Sequence, residues 1–167
     1  MKKRYSCPVR RIIITAALLL LLLPAVAAAR TSAPGDGTLV VKNANTGLIT
    51  IQARGGVIGR LDQGQLVIRD PNPGDDLDAV VTGAENTHIV NENVTRYSGK
   101  NIRFRFIGGR FTIRVINATG VDLSAVGQGS VILQGLGTLD DGTYSFNGDP
   151  PRALPLLAKP FDLGASG

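Results

Sequence analysis

Several residue types that carry protein chemistry are nearly missing from this chain. Its 167 residues include one cysteine (Cys7), one methionine (Met1), one histidine (His88) and no tryptophan. A single cysteine excludes a disulfide within the chain. A zinc site uses several His or Cys ligands, which one histidine and one N-terminal cysteine do not supply. We therefore expect no metal centre of that kind and no cofactor.

Catalytic motifs are lacking as well. No G-x-S-x-G sequence is present, and the Gly-Gln-Gly-Ser stretch at 127–130 resembles that elbow only superficially. A pair of carboxylates could still act as acid and base, but no pair stands out, and aromatic residues make up only 5% of the chain. We expect a non-catalytic protein, with a small secreted carboxylate hydrolase as the less favoured alternative.

The N-terminus has the three parts of a secretory signal. Five basic residues precede an apolar run at 12–23, Pro24 follows, and small residues at 25–29 allow cleavage after Ala27 or Ala29. This pattern predicts a signal peptide over 1–29, with a signal helix, export by the general secretory route and a secreted, periplasmic or cell-envelope location. An uncleaved anchor is the alternative, because an apolar run through Ala29 approaches the roughly 17 residues that span a bilayer.

Removal of this segment changes the charge of the chain. The whole sequence has 18 Lys and Arg against 13 Asp and Glu, and five of the basic residues and none of the acidic ones lie before residue 12. The mature chain therefore has 13 residues of each sign. Its neutral balance gives no indication of nucleic-acid binding.

The rest of the sequence has the pattern of an all-β protein. Short apolar runs alternate with Gly, Asn and Asp, and turn signals recur every 8–12 residues. We predict a linker at 30–37, a β domain at 38–149 and a Pro-rich extended tail or strap at 150–167. The predicted fold is a single antiparallel sandwich or roll of short strands, with a β-solenoid or a single curved sheet as alternatives.

The clearest predicted element lies at 101–117. Two β-rich runs, 102–107 and 110–116, flank Gly108-Gly109, which predicts a two-residue hairpin with Phe106 opposite Phe111. One face is then wholly apolar and belongs in the core. It comprises Ile102, Phe104, Phe106, Phe111, Ile113 and Val115. A weaker alternation at 48–54 puts Thr50, Gln52 and Arg54 on a polar face.

The opposite face of that hairpin is the leading candidate binding surface. It carries Arg103, Arg105, Arg110 and Arg114. Arginine binds phosphate and carboxylate bidentately, so an anionic envelope polymer is the predicted partner. Two alternatives remain open. Neighbouring strands could supply acids, with Asp122 and Asp70 as candidates, or the face could simply be solvated and prevent edge pairing.

An acidic loop is the second, weaker candidate site. Hard cations prefer the oxygen ligands that cluster here, at Asp70, Asn72, Asp75, Asp76 and Asp78. The spacing does not fit an EF-hand, since Gly74 is at the fifth position and Val81 at the twelfth. Asp and Asn also favour turns for local reasons, so a calcium site and a plain turn are both open.

Several segments resemble those of uncharacterised secreted bacterial β-rich proteins that have no assigned function. The likeness extends from 96–100 to 141–145 and is carried by Arg-Phe-Ile-Gly-Gly-Arg-Phe at 105–111 and Asp-Leu-Ser-Ala-Val-Gly-Gln-Gly at 122–129. It implies a bacterial envelope or extracellular setting and no activity. We expect a binding or assembly module, with a subunit that self-associates through strand edges, or binds a protein partner, as the alternative.

Overall fold

A computed structural model describes residues 35–74 and 77–164. The described residues are all β, with no helix among them, and form one antiparallel sheet. Its strands are β1 (Gly37–Arg69), β2 (Val80–Thr82), β3 (Asn86–Asn91), β4 (Val94–Gly135), β5 (Thr143–Phe146), β6 (Arg152–Ala153) and β7 (Lys159–Leu163). The signal peptide predicted at 1–29 and most of the predicted linker lie outside the described residues. The observed strands and their antiparallel pairing confirm the predicted all-β antiparallel class.

Two strands are far longer than the short ones predicted. β1 has 33 residues and β4 has 42, and most residues of β1 pair with two different stretches of β4. Ile51, for example, lies between Ile113 and Val131. The two strands therefore wind around each other, with stretches of β1 and β4 alternating across the sheet.

This winding folds the sheet into two layers. Layer A contains 37–44, 121–127, 55–61 and 102–107 in that order, bordered by β5 and β2. Layer B contains 128–135, 46–54, 110–118, 63–69 and 94–100, bordered by β7 and β3. Each long strand bends at Asn or Gly as it passes from one layer to the other. These bends have left-handed backbone at Asn43, Gly55, Gly64, Asn101, Gly108, Asn117 and Gly127.

Both layers bury one face, and the buried side chains form a single core. Leu39, Leu61 and Phe106 come from layer A, and Ile51 and Ile113 from layer B, all at most 1% exposed. The rings of Phe106 and Phe111 meet between the layers with centroids 5.0 Å apart. The predicted apolar face at 102–115 is confirmed, because all six of its side chains are buried.

The predicted hairpin at Gly108-Gly109 is wrong. Residues 103–105 have β1 on one side and β2 on the other, and residues 112–116 lie between two stretches of β1. The two runs therefore cannot pair with each other, because other strands already occupy both edges of each run. Gly108-Gly109 is instead a bend within β4, where the chain leaves layer A for layer B.

The segment predicted as an extended tail contributes to the sheet. β6 pairs with β5, and β7 pairs with 129–133 of β4. Leu154 and Leu163 are buried in the core, and the Phe161 ring contacts those of Tyr144 and Phe146 at 5.3 Å. The described part of this segment is thus packed on the domain.

Candidate functional site: two arginine-bearing outer faces

The four arginines predicted to share one face lie on two layers. Arg103 and Arg105 point outward from layer A, and Arg110 and Arg114 point outward from layer B. The sequence-based interpretation assigned them to one hairpin face, which the bend at Gly108-Gly109 divides. The alternation of buried and exposed residues in 102–107 and 110–116 was predicted correctly. The pairing was not, because both runs pair with β1 rather than with each other.

In layer B the arginines of β4 are joined by arginines of β1. Arg54 is the cross-strand partner of Arg110, and Arg69 is the partner of Thr112, two residues further along the same face. Arg54, Arg69 and Arg110 line one cavity of about 590 Å³, together with Gln52, Thr112 and Gln128. We call these six residues the arginine cluster.

The three arginines of the cluster have no ion-pair partner within the described part of the chain, although the cluster contacts one acidic side chain through Gln128, whose Nε2 donates to Asp36 Oδ1 at 3.3 Å. No described acidic side chain lines the cavity. Arg54 and Arg110 lie directly opposite each other, and like charges in that arrangement destabilise a sheet. The amide groups of Gln52 and Gln128 add hydrogen-bond donors and acceptors. Such a surface is suited to carboxylates or phosphates.

Among the described residues, Arg60 of layer A is the arginine with ion-pair partners, Asp122 at 2.7 Å and Asp62 at 3.9 Å. Arg60 Nε and Nη2 donate to Asp122 Oδ2 at 3.0 and 2.7 Å, and the other oxygen of Asp122 accepts the backbone N–H of Asn43 at 2.8 Å. Asp122 was a predicted partner for the arginine face, but its ion-pair partner is Arg60. Asp70, the other predicted partner, accepts the N–H of Asn72 at 2.9 Å.

The Asn43 N–H, followed by the Arg60 guanidinium, holds the pKa of Asp122 below its usual range. A carboxyl whose pKa is lower in the folded state stabilises the fold above its unfolded pKa of about 3.9, and this stabilisation is lost as pH falls through the folded value. Asp122→Asn should therefore lower the free energy of unfolding by about 1 kcal/mol at pH 7, and by progressively less below about pH 4. Urea unfolding of both proteins between pH 7 and pH 3 measures this.

Asp140→Asn, in an exposed turn, is the control and should change stability little at either pH. A deficit in Asp122→Asn that is the same at pH 3 as at pH 7 would show that the charge of Asp122 is not what stabilises the bend at Asn43.

The acidic loop consists of local turns where it is described. Asp70 accepts the N–H of Asn72, and Asp78 accepts that of Gly74 at 2.9 Å. Asp75 and Asp76 lie outside the described residues. Within the described ranges, no group of three or more His, Cys, Asp or Glu residues is placed to hold a metal ion.

Sequence reasoning missed Arg54, Arg60 and Arg69 as members of the two faces. The alternation at 48–54 had placed Arg54 on a polar face, which was a usable signal. Its proximity to Arg110 depends on a pairing between residues 56 positions apart, which no local pattern indicates.

Comparison with known proteins adds no assignment. No family model, curated protein or solved structure matches this chain. The described residues also contain no helix that could span a bilayer.

Proposed function

We propose that the chain is an exported, non-catalytic β domain of the cell envelope or extracellular space that binds an anionic polymer through layer B. The observation that carries this proposal is the convergence of Arg54, Arg69 and Arg110 in one cavity without an acidic lining residue. Export is supported by the signal pattern at 1–29. The mature chain is formally neutral, so attraction to an anion would come from this local cluster rather than from net charge.

The outer face of layer B extends the cluster in a direction that suits a polymer. Arg114 and Arg96 project from the same face, with Arg114 four residues beyond Arg110 on the same stretch of β4. At about 3.4 Å per residue, Arg110 and Arg114 are roughly 14 Å apart along the strand. A small anion fits the cavity alone, whereas a chain with repeated carboxylates or phosphates can contact both ends.

The test is retention of residues 30–167 on beads bearing polyglutamate or polyphosphate, with neutral dextran beads as the reference, across a salt series. We expect retention on at least one anionic polymer at low salt, weakening as salt rises, because exposed ion contacts are screened. Equal elution from anionic and neutral beads at low salt would overturn the proposal.

A second candidate function, self-association, is favoured by one edge of layer B. All six residues of β3 are exposed, including Ile89 at 71%, and β3 has no proline or lysine. Natural edge strands usually carry such residues to block pairing with another chain. The opposite edge, β7, has both Lys159 and Pro160. A second copy of this chain could therefore add its own β3 to this edge.

Ile89→Lys should abolish that association, because it places a charge on the exposed edge. In sedimentation equilibrium over a range of protein concentrations, we expect dimers of the unmodified protein and at least a 10-fold weaker dimer for the variant. Leu157→Lys, at an exposed apolar residue outside the strands, is the matched control and should dimerise normally. A strict monomer at every concentration would eliminate this candidate.

A further inference from the structure

The outer face of layer A differs in character from the arginine cluster, because charged and apolar residues are separated along its strands. Pairing places Asp122, Arg60, Arg103 and Thr82 in one row across the sheet. Two residues further along each strand, the next row contains Val40, Ser124, Ile58, Arg105 and Val80. A third row ends at Ile107. The first row is thus a charged end, and in the other two rows, the apolar end, the one charged residue is Arg105, which lies between Ile58 and Val80.

The charged end has more cations than carboxylates, because its two carboxylates, Asp122 and Asp62, both pair with Arg60, at 2.7 and 3.9 Å. Asp122 is held by Arg60 and the Asn43 N–H, as described above. Arg103 lies directly opposite Arg60, and neither Arg103 nor Arg105 has an ion pair among the described residues. Lys42 borders the same groove. A bound anion at this end would relieve the repulsion between Arg60 and Arg103.

The apolar end is exposed to an unusual degree for a sheet face. Ile58 is 61% exposed and Val80 45%, and both line a groove of about 440 Å³ that also reaches Arg103 and Arg105. Ile107, 41% exposed, lies on the same face just beyond Arg105. A groove of this volume is within the range of small-molecule sites, and contiguous exposed apolar side chains mark surfaces that bind something.

We propose that this groove binds a single-chain anionic amphiphile, with its carboxylate at Arg103 and Arg105 and its acyl chain along Ile58 and Val80 toward Ile107. The cationic and the apolar side chains of the groove together favour an anionic amphiphile over other ligands. A small hydrophilic anion would leave the apolar side chains exposed, and an uncharged hydrocarbon would leave the cations unpaired. From the charged row to the third row is about 14 Å along the strands, a distance that an extended chain such as that of dodecanoate covers. The arginine cluster lies on the other layer, so this site does not depend on the polymer-binding proposal.

Calorimetric titration tests the proposal with three probes, each used below its micelle concentration. Dodecanoate supplies head and chain, dodecyl maltoside supplies the chain with an uncharged head, and acetate supplies the carboxylate alone. We expect saturable one-to-one binding of dodecanoate and at least 10-fold weaker binding of the other two. Equal affinity for dodecanoate and dodecyl maltoside, or no binding of dodecanoate, would overturn the proposal.

Variants locate the site on layer A. Arg103→Gln with Arg105→Gln should weaken dodecanoate binding about 10-fold or more, since each charge-assisted hydrogen bond contributes on that scale. Ile58→Ser should weaken it several-fold. Arg114→Gln, on layer B, and Ile89→Ser, in β3, are the matched controls and should bind as the unmodified protein does. All five substituted positions are exposed, so each variant should fold, and circular dichroism verifies this. Unchanged affinity in both layer A variants would contradict the assignment.

Discussion

Replacing Gly127 with alanine is expected to lower the free energy of unfolding by about 3 kcal/mol or more, the largest stability effect that we predict for a single methyl group. Gly127 has a φ of 146° and pairs with both Gly37 and Gly55 where β4 leaves layer A. A Cβ there would lie 2.1 Å from the carbonyl oxygen of Arg54 and 2.9 Å from the Cα of Gly55. Both contacts are with backbone, so the two long strands would have to separate.

Backbone strain and a steric clash both destabilise Gly127→Ala, and a substitution at Gly148 serves as a comparison that lacks the clash. A non-glycine residue with positive φ is strained by about 1–2 kcal/mol whatever its surroundings. Gly148 has a φ of 80° in a turn, and an added Cβ there meets nothing within 4 Å. Gly148→Ala should therefore show backbone strain without a steric clash, whereas Gly127→Ala should show the strain of its own φ together with the clash. Chemical denaturation of both variants measures the difference.

A Gly127→Ala protein no less stable than Gly148→Ala would mean that the strands do not cross as closely as this pairing requires. Gly55→Ala offers a second measurement at the same crossing, because its Cβ would lie 2.1 Å from the carbonyl oxygen of Val126. We expect the two crossing variants to be similarly destabilised.

Local properties of the fold could be read from the sequence. The alternation at 102–107 and 110–116 identified six buried side chains correctly, because burial on one face of a strand follows from the two-residue period of the backbone. The position of the bend at Gly108-Gly109 was also visible, since Gly tolerates left-handed backbone. Both features depend on residues that are close in the chain.

The pairing of strands could not be read in the same way. A Gly-Gly pair between two β-rich runs is compatible with a hairpin turn and with a bend in one continuous strand. What decides between them is whether another stretch occupies the edge of each run. Here β1 takes that place for both runs, through contacts such as Ile51 with Ile113 that span 62 positions. No local pattern encodes that distance.

The candidate site was predicted in part for the same reason. The four arginines of the predicted face, Arg103, Arg105, Arg110 and Arg114, are all exposed, as the alternation required. Which arginines are neighbours depends on the long-range pairing, so Arg110 was grouped with Arg103 and Arg105 rather than with Arg54 and Arg69. The structure replaces one predicted face by two surfaces of different chemistry, a polar arginine cluster and an amphipathic groove.

The combined replacement of Arg54, Arg69 and Arg110 by glutamine should reduce affinity for an anionic polymer by about 100-fold. Each exposed charge contact contributes about 1 kcal/mol, and three such contributions add to roughly that factor. Glutamine keeps a long polar side chain with hydrogen-bonding groups while removing the charge. The three side chains are exposed, so the fold should persist. Binding to polyglutamate or polyphosphate at fixed low salt, measured by surface plasmon resonance, gives the comparison.

The control for this variant removes the same amount of charge elsewhere. Lys100, Arg152 and Lys159 are exposed and do not line the cavity of the arginine cluster. Their triple replacement by glutamine gives the same net charge, and we expect it to weaken binding far less. The salt dependence should separate the two further, because the arginine cluster variant keeps only Arg96 and Arg114 on this face and its affinity should therefore depend less on salt. If the two triple variants lose affinity equally, then net charge attracts the polymer and the arginine cluster has no specific part in binding it.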